Sequence, residues 1–190
     1  MGTICAFSGC RTQPFWCAGD ETLSECLRIK NHLAVEIFRM TEEGTDCFMT
    51  GMARGADLWA AEIVLALKKR NPFLRLICVL PFPQQAGRWS EEDRQRHRAV
   101  LEAADETVVI SPRYDRNCTM RRVRYLVGKA DLLLAVSDGR ATGEAATAIR
   151  MARRARKEIC LIETGRTALD AEPASKGGDT VFQMQQARSR

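Results

Sequence analysis

At 190 residues and 21.3 kDa, with 45% apolar and 28% charged residues, the chain has the composition of one ordinary globular domain with a sizeable core. The net charge of +5 is modest, and no apolar run reaches the length of a membrane span. The start, Met-Gly-Thr-Ile-Cys-Ala-Phe, lacks the basic segment of a signal peptide, so a cytoplasmic protein without membrane partners is expected.

The chain alternates short apolar runs with longer amphipathic ones. Strands are predicted at Thr3–Phe7, Asp46–Thr50, Arg75–Leu80, Glu106–Ile110, Asp131–Val136 and Glu158–Ile162. Helices are predicted over Glu21–Glu43, Asp57–Lys69, Glu91–Ala104, Thr119–Lys129 and Gly143–Arg156. A strand such as Leu132-Leu133-Leu134-Ala135-Val136 is apolar throughout, as required when helices cover both faces of a parallel sheet. The fold class is therefore α/β, a doubly wound and mainly parallel sheet with helices on both faces. Residues 1–164 are expected to form this domain, and residues 165–190, polar and rich in Gly, Ser and Gln, a mobile tail.

Eight cysteines accompany only two histidines, His32 and His97, and no Cys-x-x-Cys pair occurs. Buried free thiols explain Cys5, Cys47, Cys78 and Cys160 on strands better than a metal site does.

Ligands of open α/β sheets bind beyond the carboxyl ends of the strands, which makes those ends the places to look for function. The first strand ends in Ser8-Gly9-Cys10-Arg11, where Ser8 and Arg11 suit a ribose or phosphate and Gly9 a tight turn. The second runs into Thr50-Gly51-Met52-Ala53-Arg54-Gly55-Ala56-Asp57, a glycine-spaced turn opening an Ala/Leu-rich helix. Such a helix start presents unpaired N–H groups and a positive dipole end to an anion. Asp57 is read as a cap of its own helix or as a holder of a ribose hydroxyl, and Trp59 as core. The third strand ends in Pro81-Phe82-Pro83-Gln84-Gln85, followed by Trp89, expected to be buried against the sheet, and by Ser90, expected to start a helix with Asp93.

After the fourth strand, Asn117 or Thr119 is expected to cap a helix whose first turn carries Arg121 and Arg122. Cations are unfavourable at a helix N-terminus and so imply a further task. Arg121 is expected to line the cleft and Arg122 to point to solvent. The fifth strand ends in Ser137-Asp138-Gly139-Arg140-Ala141-Thr142-Gly143-Glu144, a second glycine-bearing turn suited to a phosphate or ribose.

Together these stretches resemble the YpsA-like proteins of the SLOG superfamily, over roughly residues 3–162. The resemblance implies a Rossmann-like fold related to the DNA-processing protein DprA and to lysine-decarboxylase-like phosphoribohydrolases. It also implies a nucleotide or nucleotide-derived ligand, with ADP-ribose or NAD suggested for this branch. Two departures stand out. Cys10 replaces the more usual histidine of a Ser-Gly-His-Arg turn, and Gly139–Glu144 lacks the richer Gly-Gly-Thr turn. The full Pro-Gly-Gly-x-Gly-Thr-x-x-Glu signature of the phosphoribohydrolases is missing, so that activity is not carried over.

Three functions compete. A small-nucleotide binding module would use Ser8, Gly9, Arg11, Thr50, Gly51, Gly55, Asp57, Asn117, Arg121, Asp138, Gly139, Thr142 and Gly143. An N-glycosidic-bond hydrolase would use Glu62 or Glu144. A DprA-like single-strand binder would use Arg121, Arg122, Arg124 and the cluster from Arg150 to Arg156. The absence of a nucleophile–base pair and of a dense basic stripe with aromatics favours binding of a small ligand. A homo-oligomer is one expectation for partners, and nucleic acid stays open.

Overall fold

A computed structural model describes residues 2–9, 20–139 and 141–164. Arg11, Cys10, Arg140 and the segment expected to be a tail lie outside them. The described elements are β1 (Thr3–Gly9), α1 (Ser24–Glu42), β2 (Thr45–Thr50), α2 (Ala56–Lys68), β3 (Arg75–Leu80) and α3 (Glu91–Ala103). They continue with β4 (Glu106–Val109), α4 (Cys118–Lys129), β5 (Leu132–Ser137), α5 (Glu144–Arg154) and β6 (Glu158–Glu163). The expected strands and helices are all present, and no end moves by more than three residues.

The larger shifts have local causes. At the start of α1, Asp20 accepts from Thr22 N–H at 2.8 Å and from its hydroxyl at 2.6 Å, holding that stretch as a turn. The helix therefore begins at Ser24 rather than Glu21. At the end of α5, Arg156 takes φ +54°. Its N–H donates to Arg153 and the Lys157 N–H to Ala152, closing the helix in a Schellman motif with arginine where glycine is usual.

All six strands pair in parallel, in the order β4-β3-β2-β1-β5-β6. The chain builds outward from β1 to β4, then returns to the other side of β1 to lay down β5 and β6. Between β1 and β5 the winding reverses, which opens a crevice at their carboxyl ends. β5 is buried at every position, whereas β4, at one edge, is short and largely exposed.

Strand residues alternate between two cores. Phe7, Phe48, Leu76 and Leu134 face the layer formed by α1, α2 and α3. Ala6, Met49, Leu133 and Ala135 face α4 and α5. In the first core Phe7 and Phe48 stack with ring centroids 5.6 Å apart, and Trp59 is buried beside them, as the sequence suggests. Cys5, Cys47, Cys78, Cys118 and Cys160 are free thiols. Cys26, buried on α1 and outside the four strand cysteines expected to be free, is disulfide-bonded. No helix among the described residues is long and apolar enough to cross a membrane.

Phe48 contributes one ring of the stacked pair from the sheet itself, without a polar partner to confuse the reading. Phe48→Ala is expected to lower unfolding free energy by about 3–5 kcal/mol, measured by urea denaturation. A cost under about 1 kcal/mol would mean that the site collapses and that the stack is not a centre of the core.

Candidate functional site

Ser8 and Gly9 end β1, Thr50 and Gly51 end and follow β2, and Ser137 and Asp138 end and follow β5. The sheet order sets these three ends side by side. Gly55 caps α2 with φ +86° and Gly143 caps α5 with φ +102°, both conformations that favour glycine. Neither helix has a side-chain cap at that residue. Gly139, φ +76°, donates its N–H to the Ser137 hydroxyl at 3.2 Å, while Thr142 is exposed. The two glycine-bearing turns thus flank the carboxyl end of β1 from opposite faces of the sheet.

Asp57 is 5% exposed in the first turn of α2. Its carboxylate accepts the Gly9 N–H at 2.7 Å, and so binds the end of β1 to the start of α2. Thr50, fully buried, donates its hydroxyl to the Asp57 carbonyl at 3.0 Å and accepts from Met52 N–H at 3.1 Å. Met52 itself is fully buried with φ +54°. Gly9 must be small, because a Cβ there would stand 2.4 Å from that of Ala56.

The dominant charge in this region is Arg122, 2% exposed on α4. Its Nη1 donates to the Gly51 carbonyl at 2.5 Å and to Gln85 Oε1 at 3.1 Å, and its Nη2 pairs with the Glu144 carboxylate. Gln85 in turn donates to the Met52 carbonyl. This reverses the expected assignment of the two arginines. Arg121, which was expected to line the cleft, pairs with Asp115 at 2.5 Å on a half-exposed surface. Arg122 turns inward because α4 buries Cys118, Arg122 and Leu126 at four-residue intervals, beside Val123 and Val127. That apolar spacing is readable in the sequence, and it is the signal that identifies Arg122.

Asn117 sits at the N-cap of α4 but makes no capping bond with its side chain. Asp115 supplies the turn instead, accepting from Asn117 N–H at 2.8 Å and from the Ser111 hydroxyl at 3.0 Å. Arg121, the Asn117 N–H and the Ser111 hydroxyl hold Asp115 near 2, below the usual carboxylate range. Glu62, one of the two carboxylates considered for catalysis, is held bidentately by Arg96 at 2.7 and 2.8 Å. Ser90 starts α3 as expected, accepting from Asp93 N–H. Trp89 is half-buried rather than buried against the sheet, because it packs edge-on to His97 on α3.

Gly51 has its own geometry. A Cβ built on it would lie 2.9 Å from Asp57 Oδ2 and 3.0 Å from Arg122 Nε. A side chain there would collide with the ion cluster before it reached a ligand. Among the described residues the Nε of Arg122 has no hydrogen-bond partner, although the side chain is almost wholly buried. A donor without a partner and a carboxylate oxygen thus converge above one glycine. Among the described residues, no group of three or more His, Cys, Asp and Glu is placed to hold a metal ion.

The family model described as the YspA SLOG family, YpsA, matches residues 16–164. The chain belongs to this family. A UPF0398 protein of Halalkalibacterium halodurans is 33% identical over 132 residues, which span 68% of this chain and 70% of that protein. A UPF0398 protein of Bacillus licheniformis is 30% identical over 132 residues, spanning 68% and 72%. One of Brevibacillus brevis is 32% identical over 112 residues, spanning 58% and 60%.

Burial pushes the Asp57 carboxyl up to about 6, against the pull of Arg122 and the Gly9 amide. Between about pH 4 and 6 the native protein then holds a proton that the unfolded chain has released. This contribution to stability is full below about pH 4 and is lost as pH rises through 6. Asp57→Asn keeps an acceptor for Gly9 and removes the titration. From pH 4 to 7 its stability relative to wild type is expected to rise by about 3 kcal/mol, read from urea denaturation at a series of pH values. A pH-independent difference would refute the buried, proton-holding carboxyl.

Proposed function

We propose that this YpsA-family protein is a binding module for a nucleotide or nucleotide derivative of the ADP-ribose or NAD kind, seated across the carboxyl ends of β1, β2 and β5. One observation carries the reading. Beside Gly51, the Arg122 Nε–H, without a hydrogen-bond partner among the described residues, and an Asp57 carboxylate oxygen lie 3.0 and 2.9 Å from the position a Cβ would take. A hydroxyl is the group that satisfies both at once, because it accepts from the guanidinium and donates to the carboxylate. A ribose supplies such hydroxyls. The phosphates then lie toward the unpaired N–H groups at the starts of α2 and α5, where backbone dipoles favour an anion.

Charge supports a sugar-facing role for the cluster itself. One guanidinium stands among two carboxylates, Asp57 and Glu144, so the cluster carries no surplus positive charge with which to grip a phosphate. The glycosidase alternative is weakened because Arg96 occupies Glu62, leaving Glu144, itself paired to Arg122. The nucleic-acid alternative loses Arg122 from any accessible surface.

ADP-ribose or NAD at about 1 mM is expected to raise the melting temperature in a thermal-shift assay, as a ligand of the native state must. Thr142→Tyr places a ring on the exposed turn before α5 and is expected to abolish that rise while leaving unliganded stability within about 0.5 kcal/mol. Absence of any shift across a panel of nucleotides would overturn the proposal.

A further inference from the structure

The carboxyl edge of the sheet continues beyond the glycine turns to β3 and β4, and an aromatic cavity lies there. After β3 the chain folds into consecutive turns, with the Gln85, Gly87 and Trp89 N–H groups donating to Phe82, Gln84 and Ala86 at 3.0–3.3 Å. After β4 the chain brings Tyr114 across to this loop. Its ring meets Phe82 edge-on, with centroids 5.4 Å apart and planes at 79°. Phe82, Gln84, Gln85, Arg88, Trp89 and Tyr114 line a half-open cavity of about 530 Å³.

These rings are not core residues. Tyr114 is 67% exposed, and Trp89 is half-buried with one edge fixed on His97 at 5.1 Å. Aromatic walls with a few polar groups at the rim suit a flat, delocalised ring. Arg88 offers donors only, which favours a ring with acceptor atoms on its edge. The cavity also adjoins the ion cluster. Gln85 lines it and at the same time bonds Arg122 and the Met52 carbonyl, so one side chain separates the cavity from the Gly51 turn.

We infer that this cavity receives the heterocyclic base of a nucleotide whose ribose lies over Gly51. The inference rests on the nucleotide reading above and assigns an end of the ligand to each part of the edge. The base lies between β3 and β4, the ribose above β2, and the phosphates toward β1 and β5.

The test is calorimetric titration of the full chain with ADP-ribose and with ribose 5-phosphate, which lacks a base. Tyr114→Ala is expected to weaken ADP-ribose by about tenfold or more, the usual loss when a base loses a stacking partner, and to leave ribose 5-phosphate unchanged. Tyr114→Phe keeps the ring and is expected to restore ADP-ribose binding. Wild-type affinity of Tyr114→Ala for ADP-ribose would overturn the base assignment and leave the nucleotide reading intact. An equal loss for both ligands would also overturn it, since the ring would then not be reading the base. Wild-type protein that binds neither compound would overturn both proposals together.

Discussion

A guanidinium cannot be taken out of water without partners, and the arrangement around Arg122 follows from that constraint. Burying an unanswered charge costs several kcal/mol at least, so every group that meets Arg122 is held where it is needed. The Gly51 carbonyl, the Gln85 amide and the Glu144 carboxylate come from the loops after β2 and β3 and from the start of α5. Arg122 thereby fastens three separate connections at the carboxyl edge to α4. Asp57 performs the matching task from α2, on the other face of the sheet, tying the end of β1 to that helix. This edge is thus held by side-chain bonds between loops, in addition to the backbone turns within the loop after β3.

This arrangement separates the two arginines that open α4. Arg121 and Arg122 are neighbours in sequence and share the same unfavourable position near a helix N-terminus. Arg121 is neutralised locally by Asp115, six residues away. Arg122 is neutralised by Glu144, 22 residues away, and bonded by the Gly51 carbonyl, 71 residues away. The first contact contributes little beyond shaping its loop, as half-exposed ion pairs do. The second organises the site, and a lysine, with a single point charge and no planar fork, would not meet the same set of partners.

Most of the sheet was legible in the sequence, because strands covered on both faces read as unbroken apolar runs. Leu132 to Val136 is the clearest of them. The glycine turns after β2 and β5 were legible for the same kind of reason, since few residues other than glycine reach the torsions found at Gly55 and Gly143. Pairings between distant loops were not legible. Nothing near Gln85 announces that its amide bridges Arg122 and Met52, and nothing near Glu62 announces Arg96. The burial of Arg122 lay between these cases. The apolar spacing of α4 marks it, but charge alone suggests a solvated face. The start of α1 was misplaced because one carboxylate, Asp20, diverts the Thr22 N–H into a turn.

Met52 shows how the turn after β2 is tuned. A left-handed residue other than glycine costs about 1–2 kcal/mol. Burying a methionine side chain returns about 1.5–3 kcal/mol, and Met52 is fully buried. Burial outweighs the strain, and a glycine here would lose more than it relieved. Removing a fully buried methionine side chain leaves a cavity at a cost of about 2–5 kcal/mol and frees the backbone to sample many more shapes. What methionine gives the turn is a single shape: its side chain is anchored in the core, and the carbonyl it presents to Gln85 stays in one place.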